Sequence, residues 1–189
     1  MIHLILGRQG GGKTLLCVAK AYEKHLEGKT IYSNVHLNFP YKKLKYKDII
    51  NCKLHDGVVL IDEIHLLLPA RNSMAKTSRR ICDGFLSMVR KKGLIIYGTT
   101  QTARKVDVRF RDEADFIYYV NKYAFNKNMN QFVEVMHNQD LGKSVPLVIK
   151  ADVFETFSEQ WASISIQANQ FFSYYDTRQI IRVIGLEDA

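Results

Sequence analysis

Residues 1 to 14 read MIHLILGRQGGGKT, a short apolar run that breaks at Gly7 into four glycines, a lysine and a threonine. Glycine lacks the Cβ that blocks positive φ and close approach, so a turn this rich in glycine lets a backbone wrap an anion. Gly7, Gly12, Lys13 and Thr14 hold the spacing G-x-x-x-x-G-K-[ST] of a phosphate-binding loop (Walker A). That loop requires a strand before it and a helix after it, and MIHLIL and LLCVAKAYEKHLEG supply them. In this reading Gly7, Arg8, Gln9, Gly10, Gly11, Gly12, Lys13, Thr14 and Leu15 surround the phosphates of ATP. The amides of Gly10 to Thr14 face the α- and β-phosphates at the positive end of the helix. Lys13 reaches the β- and γ-phosphates, and the Thr14 hydroxyl ligates Mg²⁺.

Outward from the loop, strands and helices alternate. A strand over about residues 2 to 6 leads to a helix over about 13 to 27, stopped at Gly28, and then to a strand through KTIYSN. GVVLIDE is a continuous apolar run of the kind buried on both faces of a sheet, and LIIYGTTQ reads as another buried strand. Between them, residues 73 to 92 carry Ile81, Phe85, Leu86, Met88 and Val89 at helical spacing. Arg90, Lys91 and Lys92 fall in the last turn of that helix, and Gly93 closes it. Such alternation predicts a parallel sheet with right-handed crossovers. After about residue 114, DFIYYVNKY and QFVEVMHN flank the polar turn FNKNMN as a hairpin, with VPLVIK a further strand. The tail QANQFFSYYDTRQIIRVI reads as one helix or two short ones, its Phe171, Phe172, Tyr174 and Tyr175 serving core or interface. The expected fold is α/β, a RecA/ASCE-like P-loop NTPase with a mostly parallel sheet flanked by helices and an antiparallel C-terminal extension. One domain is expected over 1–189, with a nucleotide-binding core at 1–114 and the extension and C-terminal helix at 115–189.

Asp62 and Glu63 follow four apolar residues directly. At the end of such a strand (Walker B) the first acid completes the Mg²⁺ sphere, usually through water, and the second activates the attacking water. Gln101 ends the next strand and is the candidate for sensing the γ-phosphate, with Thr100 a second choice; a Gln that simply caps the following helix is the other reading. A γ-phosphate also needs a cation in the transition state, and in ring ATPases a neighbouring subunit often supplies it. Arg71, Arg90, Arg109 and Arg111 are the candidates, and sequence does not choose among them. The six histidines show no metal spacing, and His65 reads as the start of a helix or as a residue backing the acids.

A chain of 189 residues with 47% hydrophobic and 24% charged content is long enough to bury one substantial core. Its net charge of +8 points to a polyanionic partner, since clustered Lys and Arg bind a phosphate backbone without sequence specificity. The basic segments are YKKLKYK (41 to 47), KTSRR (76 to 80) with RKK (90 to 92), and RKVDVRFR (104 to 111); Tyr41 and Tyr46 among the lysines suit a nucleic-acid groove. Cys17, Cys52 and Cys82 are far apart in sequence and read as reduced, buried thiols. No apolar run is long enough to cross a bilayer, so a cytoplasmic protein away from the membrane is expected, in the host cytoplasm if the chain is viral.

The order of GRQGGGKT, VVLIDEIHLLLPAR, GFLSMVRKKGLIIYGTTQ and VDVRFRDEADFIYYV resembles the Zot-like ATPases of filamentous phages and of archaeal viruses and plasmids, within the FtsK/HerA class of DNA-translocating motors. The similarity spans residues 1 to about 122, with a weaker echo at YYDTRQI. It implies a ring-forming homo-oligomer, commonly hexameric, that uses ATP to move or package DNA or to drive virion assembly. By position it places phosphate binding on Gly10 to Thr14, catalysis on Asp62 and Glu63, and γ-phosphate sensing on Gln101. Filamentous-phage members continue into a transmembrane helix and an outer domain that this chain lacks, so a DNA-packaging motor is favoured over membrane-anchored extrusion. A nucleotide-dependent assembly switch that binds a protein partner without DNA stays open as the alternative. A small-molecule kinase is disfavoured, because such kinases generally lack an acid at the position of Glu63.

Overall fold

The computed structural model describes residues 1–72, 76–135 and 145–175. Its framework is one nine-stranded sheet. The strands are β1 (Ile2–Leu6), β2 (Thr30–Ser33), β3 (Lys42–Lys43), β4 (Gly57–Ile61), β5 (Ile95–Thr100), β6 (Phe116–Asn126), β7 (Gln131–Glu134), β8 (Leu147–Glu155) and β9 (Gln160–Gln167). They lie in the order β3-β2-β4-β5-β1-β6-β8-β9, with β7 paired to β6. β1 to β6 run parallel; β7 and β8 each pair antiparallel with β6, and β9 with β8. The antiparallel part is therefore grafted directly onto the loop-bearing strand, and only its later strands reverse direction.

β1, β4 and β5 are buried almost throughout because both faces are covered, so that even His3, Thr99 and Thr100 lie inside. On one face sits α1 (Lys13–Leu26), whose Leu15, Leu16, Val18 and Ala21 pack with Ile5, Val58, Leu60, Tyr118 and Ile149. The 3₁₀ turn Ala168–Tyr174 joins that face, with Phe171, Phe172, Tyr174 and Tyr175 against the core, as expected for the described part of the tail. The rest of the tail, including most of the YYDTRQI echo, lies outside the described residues. On the other face lie α2 (Tyr46–Ile50), a helix that starts as α3 (Lys76–Arg79), and α4 (Val108–Asp112), burying Ile49, Ile81, Phe85 and Phe110 over Leu4, Leu6, Val59 and Ile61.

Three sequence expectations change. The helix expected over 73 to 92 is described from Lys76 and opens into a π-helical segment, Arg80–Leu86. This wider turn keeps Ile81, Cys82, Phe85 and Leu86 against the core but shifts the register beyond it, so Met88, expected on the apolar stripe, is exposed. Second, Tyr41 and Tyr46 do not flank a groove. Tyr46 packs into the core under the α2 face, whereas Tyr41 packs on the α1 side and meets His36 Nδ1 through its hydroxyl at 2.9 Å. The two-residue strand β3 and the turn into α2 separate them. Third, QWASISIQ forms β9, a strand the sequence reading missed, although Ile164 and Ile166 alternate with serines.

Candidate functional site

Register brings the site together. Leu6 of β1 pairs with Thr100 of β5, and Ile61 of β4 pairs with Gly98 of β5, so all three strands end on one edge of the sheet. The phosphate loop, Asp62-Glu63 and Gln101 leave from these ends. β5, whose end leads into Gln101, lies between the loop strand and the acid strand.

The loop is fixed by glycines at the positions where a side chain would not fit. Gly12 has φ +95°, and a Cβ there would stand 2.5 Å from Ile149 Cδ1. A Cβ on Gly7 would meet the Val120 carbonyl oxygen at 2.7 Å. The loop is thus seated on β6 and β8. Gly11 N–H donates to Arg8 O (3.0 Å), closing the turn, and Lys13 Nζ donates to the same carbonyl (3.1 Å). No side chain caps the first turn of α1 and none of its first residues is acidic, which leaves its N-terminal amides for an anion. Burial lowers the pKa of the Lys13 ammonium, while Glu63 and Asp62 pull it back up.

Asp62 is 5% exposed. Thr14 Oγ1 lies 2.9 and 3.0 Å from its two carboxylate oxygens, and Thr99 Oγ1 donates to Oδ1. Burial raises its pKa, against the hydrogen bonds from Thr99 and Thr14. Asn34, at the end of β2, grips the Asp62 backbone from both sides: its Oδ1 accepts from Asp62 N–H (2.8 Å) and its Nδ2 donates to Asp62 O (2.9 Å). Thr99 Oγ1 in turn accepts from Glu63 N–H at 2.9 Å, so one hydroxyl orients both acids. Glu63 has φ 54° and ψ 54°, a left-handed conformation uncommon outside glycine. Its Oε2 lies 3.1 Å from His65 Nδ1 yet has no aligned hydrogen-bond partner among the described residues. Asn34 and Thr99 were not singled out from sequence, since their contacts span 28 and 36 or 37 residues.

These donors suit Mg²⁺. A hydroxyl and a buried carboxylate converge at the loop, and the raised pKa marks a carboxylate that a bound divalent cation would compensate. Among the described residues no three His, Cys, Asp or Glu side chains form a metal cage. Mg²⁺ commonly takes one or two protein ligands, completing its shell with phosphate and water.

Gln101 is exposed, and its Oε1 accepts from Lys105 Nζ at 3.3 Å. Thr100 is fully buried, with Oγ1 3.4 Å from His65 Nδ1, so it turns away from solvent. The arginines separate. Arg90 pairs with Asp115, whose carboxylate also takes the Ile2 amide, at the end of β1 opposite the loop. Arg109 holds the buried Asp107 through Nε and Nη2 (3.1 and 2.8 Å). Arg111 is half-buried, its Nε lacking a hydrogen-bond partner among the described residues. Arg71 is exposed, in the turn Ala70–Asn72; just before it, Pro69 bridges to Val106 in the segment that follows β5.

A family model described as "ATPase family associated with various cellular activities (AAA)" matches residues 3–122, more than half of the chain. The chain belongs to the AAA family. The matched range holds the whole loop, both acids, Asn34, Thr99 and Gln101. Among curated proteins, the Pachytene checkpoint protein 2 homologs of Mus musculus and Rattus norvegicus are each 29% identical over 146 residues, 63% of this AAA chain and 34% of their own length. The chain therefore spans about a third of the length of the curated relatives it matches. Among solved structures, the N-terminal domain of zonular occludens toxin from Neisseria meningitidis superposes with a TM-score of 0.64 at 17% identity, covering 93% of this chain and 98% of that one. The genome packaging NTPase of Sulfolobus turreted icosahedral virus 2, in complex with ATP-gammaS, superposes with a TM-score of 0.55 at 16% identity, covering 86% and 95%. At these identities the likeness is one of fold. It bears out the expected P-loop architecture and the resemblance to Zot-like and viral packaging ATPases. In the described residues no helix is long and apolar enough to cross a membrane.

Proposed function

We propose that this AAA chain is an oligomeric, Mg²⁺- and ATP-dependent motor of the FtsK/HerA kind that moves or packages DNA. The observation that carries the catalytic half is the Thr14–Asp62–Thr99–Glu63 hydrogen-bonded chain at the mouth of the phosphate loop. Lys13 and the amides of Gly10 to Thr14 bind the phosphates, with Gly7, Arg8, Gln9 and Leu15 shaping the loop. Thr14 and Asp62 would hold Mg²⁺, which when bound neutralises phosphate charge. Glu63 takes a proton from the attacking water, and Thr99 fixes where its backbone stands. Gln101 meets the γ-phosphate and passes its loss to the segment that begins at Arg104 and Lys105. Arg71 suits the cation supplied to a neighbouring subunit, being exposed on the segment that leaves Asp62.

The DNA half rests on charge placement. All three basic segments reach one face of the sheet: α2 and α4 each pack beside the π-helical segment, over the same buried cluster. On the opposite face, α1 closes its lysines into pairs, Lys20–Glu23 and Lys24–Glu27. Arg90 and Arg109 on the first face are paired as well, with Asp115 and Asp107, so it is the exposed Lys47, Lys91 and Arg104 that supply the basic footprint expected of a backbone-binding protein.

Steady-state ATP hydrolysis with and without double-stranded DNA, at low salt and over a range of protein concentrations, tests both halves. A motor with shared sites gives turnover that rises with DNA and steeply with protein concentration. Turnover indifferent to both would keep the loop chemistry and favour a nucleotide-dependent assembly switch.

A further inference from the structure

The sheet is covered unequally. Around β1, β4 and β5 both faces carry helices. Beyond β1, one face of β6, β8 and β9 is covered by α1 and the turn Ala168–Tyr174, over Tyr118, Val120, Ile149, Ala151 and Val153. Residues of the opposite face stand open among the described residues. Register places Tyr119, Phe154 and Trp161 there: Tyr119 pairs with Leu6 and Phe154 with Ile117, both part of the core under the basic helices, and Trp161 pairs with Phe154. The Trp161 ring lies 5.0 Å from Phe154 and 5.8 Å from Tyr119, centroid to centroid. Trp161 is 62% exposed and Tyr119 45%. On the same face Lys150 Nζ sits 4.8 Å over the Tyr123 ring, and Ser163 binds Asp152.

Single exposed apolar residues are ordinary, but three touching rings on an open sheet are not. Two features point to what would cover them. The rings share their sheet face with the basic helices, so a polyanion drawn to those helices meets the rings next. Arg90, 79% exposed, marks the border: it pairs with Asp115, and the Asp115 carbonyl also receives the Thr156 amide from the turn between β8 and β9. Aromatic rings beside cations bind unpaired nucleobases by stacking, while a duplex keeps its base faces inside.

We propose that Tyr119, Phe154 and Trp161 form a base-stacking platform for single-stranded DNA, flanked by Arg90 near the start of β6 and by Lys150 farther along the sheet. This rests on the DNA reading above and adds strandedness and a surface to it. Trp161 is the sole tryptophan of the chain, so its emission reports on the platform directly.

The experiment is titration of the full chain with oligo(dT) at low salt, following Trp161 emission, alongside anisotropy of labelled oligo(dT) and of a labelled duplex. The platform gives saturable quenching by oligo(dT) and little by the duplex. Since base stacking on an aromatic is worth about 1–3 kcal/mol, Trp161→Ala should weaken oligo(dT) binding by about tenfold or more, while Trp161→Phe retains most of it. Matched thermal unfolding of the two variants keeps the comparison about binding. Salt-sensitive oligo(dT) binding with unchanged emission and a silent Trp161→Ala would overturn the platform and leave the DNA reading standing. No binding to either DNA would remove that reading and the platform with it. Emission that depends on protein concentration alone would show the rings buried between copies of the chain, and would overturn the platform too.

Discussion

Glu63 occupies a backbone region that costs a residue with a Cβ about 1–2 kcal/mol, and Thr99 holds it there through the Glu63 amide. As the proposed base, Glu63 needs its carboxylate and not merely its shape. Glu63→Gln should therefore bind ATP as wild type does and lose turnover by about 10²-fold or more, checked by nucleotide titration beside steady-state hydrolysis. Turnover at the wild-type rate would remove Glu63 as the base. Thr99→Val keeps the volume but deletes the hydroxyl that serves both acids. It should lower kcat while the KM for ATP moves little, because it disturbs orientation and leaves the phosphate loop intact; a change confined to KM would count against that role. A different residue ties stability to pH on the acid side. His3, in β1, is stacked on Phe116 with its Nδ1 3.0 Å from the Tyr118 hydroxyl, and burial, aided by the nearby N-terminal ammonium, pushes its pKa from 6.5 to about 4. The unfolded chain thus takes this proton more readily than the folded one, so the contribution is complete above pH 6.5 and fades as pH falls towards 4. Between pH 7.5 and 5, wild type should lose about 2 kcal/mol more unfolding free energy than His3→Gln, measured by urea titration.

At the scale of elements, the phosphate loop is not a free turn on a helix but a turn seated on β6 and β8. Gly12→Ala meets two obstacles, the φ of +95° and the Ile149 side chain. It should abolish nucleotide binding and lower the melting temperature. Adding Ile149→Ala should restore only part of the loss, since it clears the contact and leaves the backbone strain. Full recovery in the double variant would show that strain to be negligible. This seating was illegible in the sequence, whereas the loop itself was not, because the loop's chemistry is written in consecutive residues and its support comes from a strand more than 130 positions later. The same distinction explains Asn34 and Thr99, polar residues at strand ends whose partners are set by strand order. β1, β4 and β5 were legible because burial on both faces forces a mostly apolar run. β9 was not, because its covered face contributes only small or half-buried side chains, Ala162, Ile164 and Ile166, between serines. The π-helical segment shows the limit of periodicity: Ile81 to Val89 reads as a regular stripe until one wide turn moves Met88 into solvent.

For the whole molecule, the question is whether +8 is a diffuse solubility charge or a directed one. The sheet divides the answer into two faces that can be tested against each other at equal change in net charge. Lys47 and Lys91 are exposed on the segments that pack over the α2 side, while Lys20 and Lys24 belong to α1 and are already paired with Glu23 and Glu27. Replacing Lys47 and Lys91 with Gln, or Lys20 and Lys24 with Gln, removes two charges in each case. If binding to a phosphate backbone is local, the first pair should weaken DNA binding at low salt and reduce the slope of log K against log salt by about 1 for each phosphate that is no longer neutralised. The second pair should leave affinity and slope close to wild type, because its charges are neutralised on the far side of the sheet. Affinity measured across a salt series for both double variants decides the matter. Equal losses would mean that the polyanion responds to total charge and that no face is dedicated to it. Weakening confined to the first pair would place DNA on the face whose segments run from Gln101, the proposed γ-phosphate sensor, through Arg104 and Lys105, the side on which nucleotide turnover could be converted into movement.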